Sequence, residues 1–113
     1  NKRLIMEIKL SKAIEELDVL NAFVWEGSAK ITIKEQINDR FYLTIRGYSD
    51  VEHQGDISGI ENQVENLTYQ STIIEDIKFT ILDASMSWEH DSNSNDSILV
   101  KGKVIIAYKS VQI

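Results

Sequence analysis

Two short stretches hold the residue types that metal binding and proton transfer need. The first, "GYSDVEHQGD" at 47–56, sets His53 beside Asp50, Glu52 and Asp56. The second, "WEHDSNSND" at 88–96, sets His90 between Glu89 and Asp91. An imidazole flanked by carboxylates can bind a divalent ion or move a proton near neutral pH. Neither histidine has a second one four residues away, the spacing of a metal-binding helix. An exposed loop histidine beside acids is the commoner arrangement. The expectation is therefore no bound metal and no cofactor. A hydrolase or metal enzyme built from His53 and His90 is kept as an alternative.

The second stretch also resembles the start of a calcium loop, because Asp91, Asn93 and Asn95 alternate. Such a loop needs glycine at its sixth position and a bidentate glutamate at its twelfth. Those positions here are Asp96 and Gly102. The flanking runs also read as strands, not helices. A hairpin loop whose Asp, Ser and Asn satisfy local backbone groups is the expected structure.

Other chemistries are absent from the pattern. There is no cysteine, which removes thiolate nucleophiles, disulfides and zinc–cysteine sites. No nucleophile elbow and no glycine-rich phosphate loop occurs. Ser49, Asp50 and His53 are close in sequence, but a triad is a spatial arrangement. Phe41 and Tyr42 with Arg40 and Arg46 come nearest to a basic–aromatic pattern, and a half-buried strand accounts for them.

The chain has 113 residues, which fits a single α+β domain over 1–113, with a core that needs no staples. Its formal charge is −6, unevenly spread. Residues 47–96 hold eleven acids against Lys78 alone, whereas residues 97–113 hold three lysines and no acid. This asymmetry argues against a general nucleic-acid-binding surface and suits a basic protein partner. No run of about 20 apolar residues is present, so no membrane partner is expected. A reducing cytoplasm fits a chain without cysteine.

Hydrophobic spacing supplies the elements. Leu4, Met6, Ile8 and Leu10 alternate with polar neighbours and predict a strand. Ser11 would then cap a helix from about Lys12 to Phe23, with Ala13, Ile14, Leu17, Leu20 and Val24 as its apolar stripe. The alternation at 29–34 and 41–46, joined by "NDR" at 38–40, predicts an antiparallel hairpin. Residues 47–58 read as a loop. Ser58 and Glu61 have capping-box form ahead of a short helix with Ile60, Val64 and Leu67 on one face. The chain turns strand-like again from Tyr69.

Residues 77–88 and 98–109 predict a long hairpin with 89–97 as its loop, and the apolar phase slips by one at Leu82, as a β-bulge would require. "VIIA" at 104–107 is apolar on both faces, which predicts cover on both sides. The expected order is β-α-β-β-α-β-β, an antiparallel or mixed sheet with two short helices packed on it.

These observations point to a small non-catalytic protein-binding domain. One concrete form is an inhibitor or immunity-type protein that masks a basic partner, such as a nuclease, through an acidic surface. The residues expected at that surface are Tyr48, Asp50, Glu52, Asp56, Glu61, Glu65, Trp88, Asp91 and Asp96. A further alternative is a cellular or viral assembly subunit that self-associates, as a homo-oligomer, through strand edges.

Overall fold

The computed structural model describes residues 2–23, 29–50, 57–93 and 96–111. The elements are α1 (Lys2–Glu16), α2 (Val19–Phe23), β1 (Ala29–Ile37), β2 (Arg40–Asp50), α3 (Ile57–Glu65), β3 (Ser71–Ile74), β4 (Ile77–His90) and β5 (Ser97–Ser110). The five strands form one sheet in the order β1-β2-β5-β4-β3, and each neighbouring pair is antiparallel. The architecture is α+β, with the sheet antiparallel rather than mixed.

The expected order fails at its first element. Residues 4–10 are not a strand but the first half of α1. The alternation of Leu4, Met6, Ile8 and Leu10 is a coincidence of spacing. The stripe that reaches the core is Met6, Leu10, Ala13, Ile14 and Leu17, which follows the helical period. Leu4, Ile5 and Ile8 stay more than half exposed. Ser11 does not cap a helix. It sits inside one, and its hydroxyl donates to the Glu7 carbonyl at 3.1 Å.

The expected helix over 12–23 is broken at Asp18, whose φ of 55° is left-handed. Aspartate tolerates this conformation better than most residues, and its carboxylate accepts a bond from the Asn21 amide at 3.0 Å. The break shifts the apolar phase. After it, Val19, Ala22 and Phe23 are buried, while Leu20 is partly exposed. Five residues cannot hold a helix in water alone. Burial of Val19 and Phe23 at about 1.5–3 kcal/mol each holds α2 in place.

Both expected hairpins form. β1 and β2 meet through the two-residue turn Asn38–Asp39, with Asn38 left-handed at φ 54°. β4 and β5 pair from Ile77↔Ser110 to His90↔Ile98. Their register shifts between Ile81 and Asp83, so Leu82 is the extra residue of a bulge, at the predicted phase slip. β3 and β4 are separate strands, turned by Glu75 and Asp76. The strand-like run that the sequence shows from Tyr69 is thus two strands. Ser58 lies within the first turn of α3 and not before it.

The helices all pack on one face of the sheet. α1 runs along β3, α3 packs on β4, and α2 touches α1, α3, β1 and β2. Phe41, Leu43 and Ile45 of β2, Phe79 and Ile81 of β4, and Val100, Val104 and Ile106 of β5 form the buried face beneath them. Among the described residues no helix lies on the other face, although Leu99 is buried there beside Tyr48 and Glu89. Ile105 and Ala107 are only partly buried there, so the two-sided cover expected from "VIIA" is absent. Their shielding comes from neighbours in the sheet, since Ile105 stands between Tyr42 and Asp83 in register.

Candidate functional site

Of the polar stretch, Trp88 to His90 end β4, and Asp91 to Asn93 with Asp96 lie at the tip of the β4–β5 hairpin. The Asp91 amide donates to the Ser97 carbonyl at 3.0 Å and closes the loop. The Asp91 carboxylate accepts the Asn93 amide at 2.9 Å, an Asx-turn. The aspartate thus satisfies local backbone, as expected. His90 meets Trp88 edge to face, with ring centroids 5.7 Å apart. Trp88 is half-buried and packs against the core. Asp96 is exposed. Among the described residues, no three His, Asp or Glu side chains are grouped to hold a metal ion.

Asp50 ends β2 opposite Ser97 in register. The C-terminal end of β2 therefore lies beside the hairpin tip. Tyr48, two residues back, pairs with Leu99 and is 43% exposed. Glu52, His53 and Asp56 lie outside the described residues, so the proposed meeting of His53 and His90 does too.

The other expected acids occupy a different place. Glu61 and Glu65 are one turn apart on α3, both exposed. With Val64 they line one wall of a groove of about 220 Å³, and Ala84, Ser85 and Met86 of β4 form the other. Ile60 and Val64, both buried, fix this face of α3 to the sheet. The groove has a backbone consequence. β3 is only four residues long and pairs with β4 from Ile77 to Thr80, with Tyr69 and Gln70 adding bonds to Ile81. Among the described residues, no strand pairs with the outer edge of β4 from Asp83 to His90. Two carboxylates therefore stand beside a strand edge with main-chain groups to offer.

Glu89, at the far end of that edge, is engaged. Lys101 on β5 donates to its carboxylate at 2.8 Å. That hydrogen bond, then the Lys101 charge and more weakly Arg46, holds the Glu89 carboxyl below its ordinary range.

The basic–aromatic pattern noted at Arg40, Tyr42 and Arg46 is longer in the strand than the sequence indicates. On β2, every second residue from 40 to 48 points away from the core: Arg40, Tyr42, Thr44, Arg46 and Tyr48. Basic and aromatic side chains interleave there at a spacing of two. A strand brings i and i+2 together on one face. Register sets Lys30 beside Arg46, Arg46 beside Lys101 and Thr44 beside Lys103. Comparison of the chain with protein-family models, with curated proteins and with solved structures finds no match.

Proposed function

We propose that this is a non-catalytic protein-binding domain whose partner is a basic protein segment. The groove between α3 and the outer edge of β4 carries the reading. It joins a run of strand edge, Asp83 to His90, to the carboxylates of Glu61 and Glu65. An extended segment added to such an edge gains main-chain hydrogen bonds, and its alternate side chains meet the groove. Lysine or arginine at those positions would face the two glutamates. The acids near the hairpin tip would speed encounter rather than hold the complex. An inhibitor or immunity-type protein that masks a basic toxin is one concrete form of this activity.

Self-association through strand edges is the weaker reading. β1, the outermost strand on the other side, carries Lys30, Lys34 and a register shift between Ile33 and Glu35. Edge lysines and bulges discourage strand addition.

The test begins with capture of partners from the source cells, followed by association kinetics at two ionic strengths. The double variant Glu61→Lys with Glu65→Lys should fold normally, because both side chains are exposed. It should associate more slowly and lose most of the salt dependence. Amides in 83–89 should gain protection from hydrogen exchange when the partner binds. An unchanged rate at low salt, or no added protection on β4, would remove the proposal.

A further inference from the structure

The uncovered face of the sheet is basic in a chain of net charge −6. The strand positions that face away from the helices hold Lys30, Arg40, Arg46, Lys78, Lys101, Lys103 and Lys109. Glu35, Asp83 and Glu89 are the carboxylates with described side chains in the same rows, and Asp50 ends the β2 row opposite Ser97. Between β1 and β4 the face forms a shallow concavity of about 760 Å³. Lys30, Arg46, Lys101 and Lys103 ring it, and Thr32, Thr44, Ser85 and Ser87 add hydroxyls.

We propose that this open face binds single-stranded nucleic acid, with phosphates on Lys30, Arg46, Lys101 and Lys103 and bases stacked on Tyr42 and Tyr48. Charge complementarity selects a polyanion, and the two tyrosines select which one. Both lie on β2 within the basic rows, and Tyr48 is 43% exposed at the rim. Tyrosine also serves protein contacts, but two rings spaced along a basic strand suit successive bases, each of which offers a ring face to stack. A sheet surface that carries aromatics and cations is a known way to hold unpaired strands, since it needs no groove to enter. Binding is without sequence preference, because hydroxyls and ammonium groups meet phosphate and not base edges. This site and the acidic groove share Ser85 and Met86 of β4 as lining, but the cations belong to the first and Glu61 and Glu65 to the second.

The experiment is fluorescence anisotropy with labelled oligothymidine and oligouridine of about 12 nucleotides, using the full chain over a salt series. Four neutralised phosphates give a slope of log affinity on log salt of about −2.8. Arg46→Gln with Lys103→Gln should weaken binding and bring the slope down by about 1.4. Tyr48→Leu, which keeps an apolar group beside Leu99, should weaken binding roughly fivefold or more and leave the slope unchanged. Glu89→Gln frees Lys101 and should tighten binding. All these positions lie on the solvent side, so thermal melts should match the parent. Glu61→Lys with Glu65→Lys, which tests the protein-binding groove, should not weaken oligonucleotide binding. Failure to bind at low salt overturns the proposal, as does binding insensitive to Arg46, Lys103 and Tyr48. Equal binding of polyglutamate, with no effect of Tyr48→Leu, would also overturn it and assign the face to an acidic protein.

Discussion

The Phe23 ring fills the space that a side chain at Gly102 would need. A Cβ on Gly102 would stand 2.1 Å from Phe23 Cε1 and 2.7 Å from two further ring atoms. Phe23 has no exposed surface, so it cannot swing clear. This contact seats α2 on the middle of β5. Gly102→Ala should destabilise the fold by about 1–3 kcal/mol through overpacking. Phe23→Ala should cost about 3–5 kcal/mol through the cavity it leaves. Adding Phe23→Leu to Gly102→Ala should recover part of the first loss, because the two changes share one space. Urea denaturation of the variants measures all three, and strict additivity would contradict the contact.

Tyr108 ties the far end of β5 to the β1–β2 turn. Its hydroxyl donates to the Asn38 carbonyl at 3.1 Å and accepts from the Gln36 side-chain amide at 3.0 Å. Its ring lies 5.2 Å from that of Phe41, centroid to centroid. Tyr108→Phe keeps the ring and removes both bonds. The expected loss is about 0.5–1.5 kcal/mol. Faster amide exchange should appear at Asn38 and Asp39, with the β4–β5 hairpin unchanged.

Lys9 anchors α1 to the β3–β4 turn, at 2.9 Å from Asp76 and 3.3 Å from Glu75. Its hydrogen bond holds Asp76 below the ordinary 3.8, with a backbone bond of Asp76 next in weight. The same bond to Asp76 holds Lys9 above 10.5, against the opposing effect of burial. A lowered carboxylate contributes stability above its ordinary value and loses it as the pH falls through the lowered one. A raised lysine contributes below its ordinary value and loses it as the pH rises through the raised one. Asp76→Asn should therefore be slightly less stable than the parent at neutral pH. The two stability curves should converge below the lowered Asp76 value and again above the raised Lys9 value. Screening by solvent keeps the difference small. A gap undiminished at about pH 2 would contradict the pairing.

Glu75 sits in that turn with φ 56°. A glutamate gains nothing locally from the left-handed region, whereas asparagine adopts it more readily. Glu75→Asn gives up an exposed ion pair of little worth. The net change should be a gain of about 0.5 kcal/mol, read as a higher denaturation midpoint. A loss greater than about 1 kcal/mol would show that the Lys9 contact outweighs the backbone strain.

Much of the sheet was legible in the sequence because its evidence is local. Alternation at 29–34, 41–46, 77–88 and 98–109 fixes which residues share a face. Asn38–Asp39 fixes one turn, and the phase slip at Leu82 marks the bulge. Each signal arises from neighbours along one strand, where side chains two apart must point the same way. The N-terminal helix was not legible. Leu4 to Leu10 satisfies both a period of two and a period near four, and no local rule separates them. Docking of Met6, Leu10 and Ala13 on the core decided it.

The candidate sites divide in the same way. By itself the sequence determined the supply of charge: eleven acids in 47–96, three lysines after them, and no cysteine. Only tertiary structure decided where those charges meet. The short β3 leaves the outer edge of β4 beside Glu61 and Glu65. The pairing of β1, β2 and β5 draws Lys30, Arg46, Lys101 and Lys103 onto one face, from segments up to 73 residues apart. Register between distant strands follows from closing the whole sheet over the core, and no local spacing carries that information.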